Sequence, residues 1–170
     1  MAPFPVSAAV SRTLVLGLGN TSLSDDGAGV RLLEHLQRST GPDAADFIDG
    51  GTQSFGLLSH VEAAGSLLVI DAANLHRDPG ATALFEDAAM DAYLADHRRR
   101  TVREIGLIDL LEIARLLKCL PPRRALLCIQ PERIELCKAL SPRVEEAMPR
   151  AARLGADLLA RWRSSWPHAR

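Results

Sequence analysis

The chain has 170 residues, of which 47% are hydrophobic and 24% charged, with a formal net charge of -1. That is the balance of an ordinary globular domain, long enough to bury a core and better suited to one domain than to two. No basic excess points to nucleic acid, and apolar runs such as Ser66–Ile70 fall far short of the ~20 residues that span a bilayer. Neither nucleic acid nor a membrane is therefore an expected partner.

Residues 1–12 carry Pro3 and Pro5 and no positively charged start, so they read as a loose lead-in and not as a signal peptide. Thr13–Leu18 is a short apolar run ending in glycine-rich sequence, the pattern of a buried strand. Beyond the loop Gly19–Asp25, Asp26–Gln37 sets Val30, Leu33 and Leu36 on one helical face. Asp46–Asp49 reads as a second strand closed by Gly50-Gly51-Thr52, and residues 53–64 suit a short helix. Ser66–Asp71 is a third buried strand, Pro79-Gly80 a turn, and Ala81–Phe85 a strand leading into a helix near Ala88–Ala95. Ile105–Leu117 repeats Ile105, Ile108, Leu111 (or Leu110), Ile113 and Leu117 at helical spacing. Ala125–Ile129 is the last strand, and a helix from Pro142 is expected to break or restart at Pro149 before continuing to Trp162. The basic clusters His97–Arg100 and Arg123-Arg124 read as solvated loops. Strands alternating with helices predict an α/β fold, a three-layer sandwich with a twisted, mostly parallel sheet flanked by helices on both faces. One domain covers residues 1–170.

The three cysteines, Cys119, Cys128 and Cys137, are odd in number and lack C-x-x-C spacing. A disulfide framework and a structural zinc site are disfavoured, and a reducing cytoplasm is the expected location. Cys128, inside the run Leu126–Ile129, reads as a small core residue.

In open α/β sheets, ligands bind beyond the carboxyl ends of the strands. Asp26, Asp49 and Asp71 each fall at or just after such an end. Carboxylates gathered from separate strands repel one another unless a cation or a proton offsets them, which suits a metal or a basic substrate group. Each also has a plainer reading. Asp25 or Asp26 can cap the helix that follows, Asp49 can shape the turn into Gly50-Gly51, and Asp71 can be the polar end of a strand. Gly17-Leu18-Gly19 begins like a dinucleotide fingerprint, but Ser22 stands where its third glycine belongs and Asp25-Asp26 would repel a pyrophosphate. The P-loop, the G-x-S-x-G elbow and the H-E-x-x-H zinc helix are all absent from the sequence.

The string from Gly17 to Val30 (GLGNTSLSDDGAGV) resembles the opening motif of the nickel–iron hydrogenase maturation endopeptidases. The resemblance continues at Asp49-Gly50-Gly51-Thr52, at Leu67–Ala72 with Pro79-Gly80, at Glu104–Leu107 with Asp109–Leu111, and at Pro131-Glu132 with Leu140–Pro142. These landmarks run in family order from about residue 13 to 160. The family removes a C-terminal extension from the hydrogenase large-subunit precursor once nickel has been inserted. What the resemblance implies is an aspartic-type endopeptidase without a cofactor of its own, which recognises nickel carried by its substrate. It implies Asp26 and Asp71 as metal ligands, Gly50, Gly51 and Thr52 as a substrate-binding loop, and Asp49 as a catalytic carboxylate. At the position of the family's histidine ligand this chain has Arg103, whose guanidinium offers no lone pair. Arg103 is thus expected to bind substrate or to pair with Asp26 or Asp71, with His97 or His76 as the alternative third ligand. The competing expectation is a non-catalytic factor that keeps the precursor-binding cleft without the protease site.

Overall fold

The computed structural model describes residues 12–52, 55–100 and 105–165. Among the described residues, five strands form one sheet: β1 (Thr13–Leu18), β2 (Asp46–Gly51), β3 (Ser66–Ala72), β4 (Thr82–Glu86) and β5 (Arg123–Ile129). Their order is β2-β1-β3-β5-β4. The first four in that order are parallel, and β4 runs antiparallel along β5 at the edge. The central strands β1, β3 and β5 are nearly continuous apolar runs because both of their faces are covered.

Helices α1 (Ala28–Thr40) and α5 (Pro142–Ser164) cover one face. Their core joins Leu32, Leu33 and Leu36 of α1 to Met148 and Leu158 of α5 over Leu68 and Ile70 of β3. Helices α2 (Leu58–Ala63), α3 (Ala88–Arg100) and α4 (Ile105–Leu116) cover the other. There Val61, Met90, Leu110 and Leu111 pack on Leu67 and Val69, the alternate residues of the same strand. Cys128 is fully buried in that second core, as its apolar neighbours predict. Among the described residues, no helix is long and apolar enough to cross a membrane.

Three expectations are corrected. Pro149 does not break α5, which runs unbroken for 23 residues. The proline lies on the exposed side, so the carbonyl it leaves without a partner can be hydrated. The row from Val144 to Trp162, buried against α1 and the sheet, outweighs the local cost of about 3 kcal/mol. In α4 the buried stripe is Leu107, Leu110, Leu111 and Ala114, while Leu116 and Leu117 are exposed. A helix apolar nearly all round does not reveal by periodicity which side packs. The basic clusters are not loops either. Residues 97–100 end α3 and Arg123-Arg124 begin β5. Arg124 Nε donates to Asp91 Oδ1 at 3.0 Å, and its Nη2 pairs with Asp91 Oδ2.

Candidate active site

Strand order creates the site. From β1 the chain crosses to β2 through α1 on one face, then returns through α2 on the other face to β3, beside β1. Connections therefore leave β1 and β3 on opposite sides, opening a crevice at their carboxyl ends, the position where ligands bind in folds of this kind. Asp26 follows β1, Asp71 is the penultimate residue of β3, and Asp49 lies in β2 on the other side of β1. All three lie at the carboxyl edge of three adjacent strands.

Glycines bring the backbone close enough to form this edge. A side chain at Gly29 would lie 2.4 Å from the Leu18 carbonyl, 2.5 Å from the Ile70 carbonyl and 3.0 Å from the Asp71 Cα. Its absence lets the first turn of α1 rest on the ends of both β1 and β3, one turn beyond Asp26. Gly19, at φ +113°, passes directly under the Asp26 carbonyl, where a Cβ would come within 1.8 Å. Only glycine fits that left-handed, crowded position.

The three aspartates differ in their surroundings. Half-buried Asp26 accepts the Asn20 backbone N–H on Oδ2 at 2.8 Å, which closes the loop after β1. It caps no helix: neither the 3-10 turn Ser24–Gly27 nor α1 has a side-chain cap. Exposed Asp49 accepts the Gly51 N–H on Oδ1 at 2.8 Å, so it does shape the turn, with Gly51 left-handed at φ +48°. The Gly51 carbonyl in turn accepts the Gly19 N–H at 2.9 Å, joining the two glycine loops. Thr52 is exposed beside them and Gly50 is buried. Asp71 is half-buried opposite Cys128 of β5, and strand alternation directs it to the α4 side of the sheet.

Among the described residues, no three His, Cys, Asp or Glu side chains converge to hold a metal. His76 is exposed, at φ +54°, in the loop after β3, and its backbone N–H donates to Asn74 Oδ1 at 3.0 Å. It therefore does not complete a three-residue cluster with Asp26 and Asp71. His97 falls in the last turn of α3 with its side chain outside the described residues, and Arg103 lies outside them altogether.

The carboxylate that sequence reading treated only as a possible cap, Asp25, organises the site from beneath. It is 0% exposed. Its Oδ1 accepts the Ser141 N–H at 2.7 Å, and its Oδ2 accepts the Ser141 hydroxyl at 2.8 Å and the backbone N–H groups of Glu132 and Arg133 at 2.9 and 3.1 Å. Burial pushes this carboxyl up, but the bonds from Ser141, Arg133 and Glu132 together outweigh it and hold the group below the usual carboxylate range. Ser24 alongside is left-handed at φ 43°, and its Oγ donates to the Arg133 carbonyl while accepting the Glu135 N–H, each at 3.0 Å. The segment after β5 is thereby fastened to the turn that carries Asp26. No local signal in the sequence distinguishes Asp25 from Asp26, because the partners of Asp25 lie more than 100 residues away.

The family profile described as HycI, hydrogenase maturation protease, matches residues 30–157. The hydrogenase 2 maturation protease of Escherichia coli (strain K12) is 33% identical over 136 residues, covering 79% of this chain and 82% of that protein. The hydrogenase expression/formation protein HoxM of Cupriavidus necator is 34% identical over 156 residues, 88% of this chain and 74% of its own length. Among solved structures, the hydrogenase maturating endopeptidase HybD from E. coli superposes with a TM-score of 0.79 at 30% identity, covering 88% of this chain and 93% of that one. The fold, the glycine-bounded acidic edge and these likenesses agree: the chain belongs to the hydrogenase maturation protease family and is a peptidase.

Proposed function

We propose that this peptidase removes the C-terminal extension of a nickel–iron hydrogenase large-subunit precursor after nickel insertion, acting in the cytoplasm. What supports this reading is that Asp26 follows β1 and Asp71 falls near the end of the adjoining strand β3, at one edge of the sheet, in a chain of this family. Two carboxylates are too few to hold a metal of their own, but they suit a cation whose remaining ligands arrive with the substrate. Nickel is thus part of what is recognised, and the chain carries no resident cofactor.

In this scheme Asp26 and Asp71 engage the substrate's nickel and so set the scissile peptide over the loop Asp49–Thr52. There Gly50 and Gly51 let a peptide backbone approach closely. Water adds to the scissile carbonyl carbon, the C–N bond breaks, and the two protons of the water end on the new carboxyl and amino termini. A carboxylate of this edge, with Asp49 the candidate, assists as base, which makes the enzyme aspartic-type. Polarisation of the carbonyl by the substrate's nickel is the other contribution available. Arg103 stands two residues before α4, which covers the face toward which Asp71 alternates. In this scheme its permanent charge is available to an edge carboxylate or to the substrate.

The test is to incubate the purified protein with nickel-loaded precursor and look for a shortened large subunit. Cleavage by the wild type, abolished in Asp26→Asn and Asp71→Asn at unchanged Tm, supports the proposal. Stable binding without cleavage would assign the chain to the non-catalytic alternative that Arg103 suggests. Calorimetric titration of nickel into wild type and Arg103→His, with tighter binding by the variant expected, tests whether the arginine replaces a ligand.

A further inference from the structure

The segment Pro131–Leu140, after β5, lies at the same edge as the acidic residues, yet it has no part in the chemistry above. It contains two of the most exposed large apolar side chains among the described residues, Ile134 at 58% and Leu136 at 87%. Exposed leucines are common on flexible loops, but this backbone is anchored on both sides of each of them. Ile134 lies between Arg133, whose N–H reaches Asp25 and whose carbonyl takes the Ser24 hydroxyl, and Glu135, whose N–H reaches the Ser24 Oγ. Leu136 lies between Glu135 and Cys137, and Cys137 pairs with the glycine loop through its N–H to Ser22 and its carbonyl from Ser24. The charges around them are partly neutralised within the molecule, with Arg133 paired to Glu135 at 3.2 Å and Arg143 within 3.9 Å of Glu132. Besides exposed Lys138, the features left to recognise a partner are the two apolar side chains, held outward on backbone that has little ordering entropy left to lose.

We infer that Ile134 and Leu136 form a preorganised docking ledge for an apolar strip on the large-subunit precursor, which it engages while its metal-bearing end reaches Asp26. The inference rests on the substrate assigned under Proposed function. Continuity selects this occupant: the ledge is fastened to residues 22–25, immediately before Asp26, so whatever reaches that carboxylate passes beside it. Opposite charges offset one another at Arg133–Glu135 and Arg143–Glu132, and Lys138 alone makes no charged patch, which selects an apolar contact. The other exposed apolar pair among the described residues, Leu116 and Leu117 at 80% and 62%, sits at and just past the end of α4 ahead of β5 and therefore lies toward the opposite edge of the sheet. It serves as an internal control.

The experiment compares wild type, Ile134→Ser/Leu136→Ser and Leu116→Ser/Leu117→Ser for cleavage of nickel-loaded precursor at varied concentration, with Tm and light scattering measured on each. The ledge variant is expected to raise the apparent KM about tenfold or more while leaving kcat within twofold and Tm unchanged. The control pair should leave KM at the wild-type value. Wild-type cleavage with an unchanged KM in the ledge variant overturns the ledge alone. A wild type that neither binds nor cleaves the precursor overturns the proposed function and the ledge with it. A wild-type dimer that the ledge variant dissolves would reassign the surface to a second copy of the chain and likewise overturn the proposal.

Discussion

Two carboxylates are held below the usual carboxylate range by different means, at opposite edges of the sheet. Asp25, at the carboxyl edge, is fully buried and meets only neutral donors, three backbone N–H groups and one hydroxyl. Asp91, in α3, lies where β5 begins. It is lowered first by hydrogen bonding from Arg124 against the opposing effect of burial, with the charges of Arg124 and Arg115 adding to it. Arg115 Nη2 stands 3.2 Å from Asp91 Oδ1. The first arrangement binds a loop to the acidic edge through neutral donors alone. The second joins α3, α4 and β5 with full charges.

The comparison predicts a ranking of effects. Asp25→Ala should cost most, on the order of 3–5 kcal/mol, because four donors lose one buried acceptor. Asn should rescue it poorly, since its NH2 group must face at least one N–H donor; a capping aspartate would tolerate Asn almost fully. Equilibrium urea unfolding of the two variants decides between these. Asp91→Asn is expected to cost less, about 1–3 kcal/mol, by leaving the Arg124 guanidinium partly buried without its counter-charge. Repeating both measurements in 1 M salt sharpens the contrast: the Asp91 penalty should shrink as charges are screened, and the Asp25 penalty should not.

Acid provides a third test. Both carboxyls have folded-state values below their unfolded value of about 3.9. Each therefore contributes its stability fully above that value and loses it as pH falls through the depressed folded value. Urea midpoints should stay level from neutral pH to about 5 and then drop below about 4. Asp91→Asn should flatten part of that drop. The smallest effect is expected at Asp49, whose bond to the Gly51 N–H is exposed. Asp49→Asn keeps an oxygen acceptor and should change stability by no more than about 0.5 kcal/mol. If the proposed base role holds, processing of the precursor should still be lost in that variant.

Much of the fold was readable from local pattern. The strand Thr13–Leu18 matches the observed β1 residue for residue, and the others differ by one or two positions at their ends. Apolar runs of that length, bounded by glycine and aspartate, have few other uses in a chain of this size. Val30, Leu33 and Leu36 are buried as spaced, because α1 has one apolar face and a polar one. In α4, apolar on nearly every side, spacing pointed to Leu117, which is exposed, and away from Leu107 and Ala114, which are buried.

The carboxyl-edge position of Asp26, Asp49 and Asp71 was also legible, since each follows or ends a strand in the chain. Which strands adjoin was not. The order β2-β1-β3, and with it the adjacency of the strand ends near Asp26 and Asp71, depends on α1 and α2 crossing on opposite faces. Pattern along the chain also marks Asp25 and Asp26 as one acidic pair. Folding separates their roles, burying Asp25 under Ser141, 116 positions away, and leaving Asp26 half-buried at the rim. Residue type and spacing report which groups share a strand or a helix turn, because those distances are set by local backbone geometry. Burial and hydrogen-bond satisfaction are set by what distant segments bring, and only the assembled structure contains that.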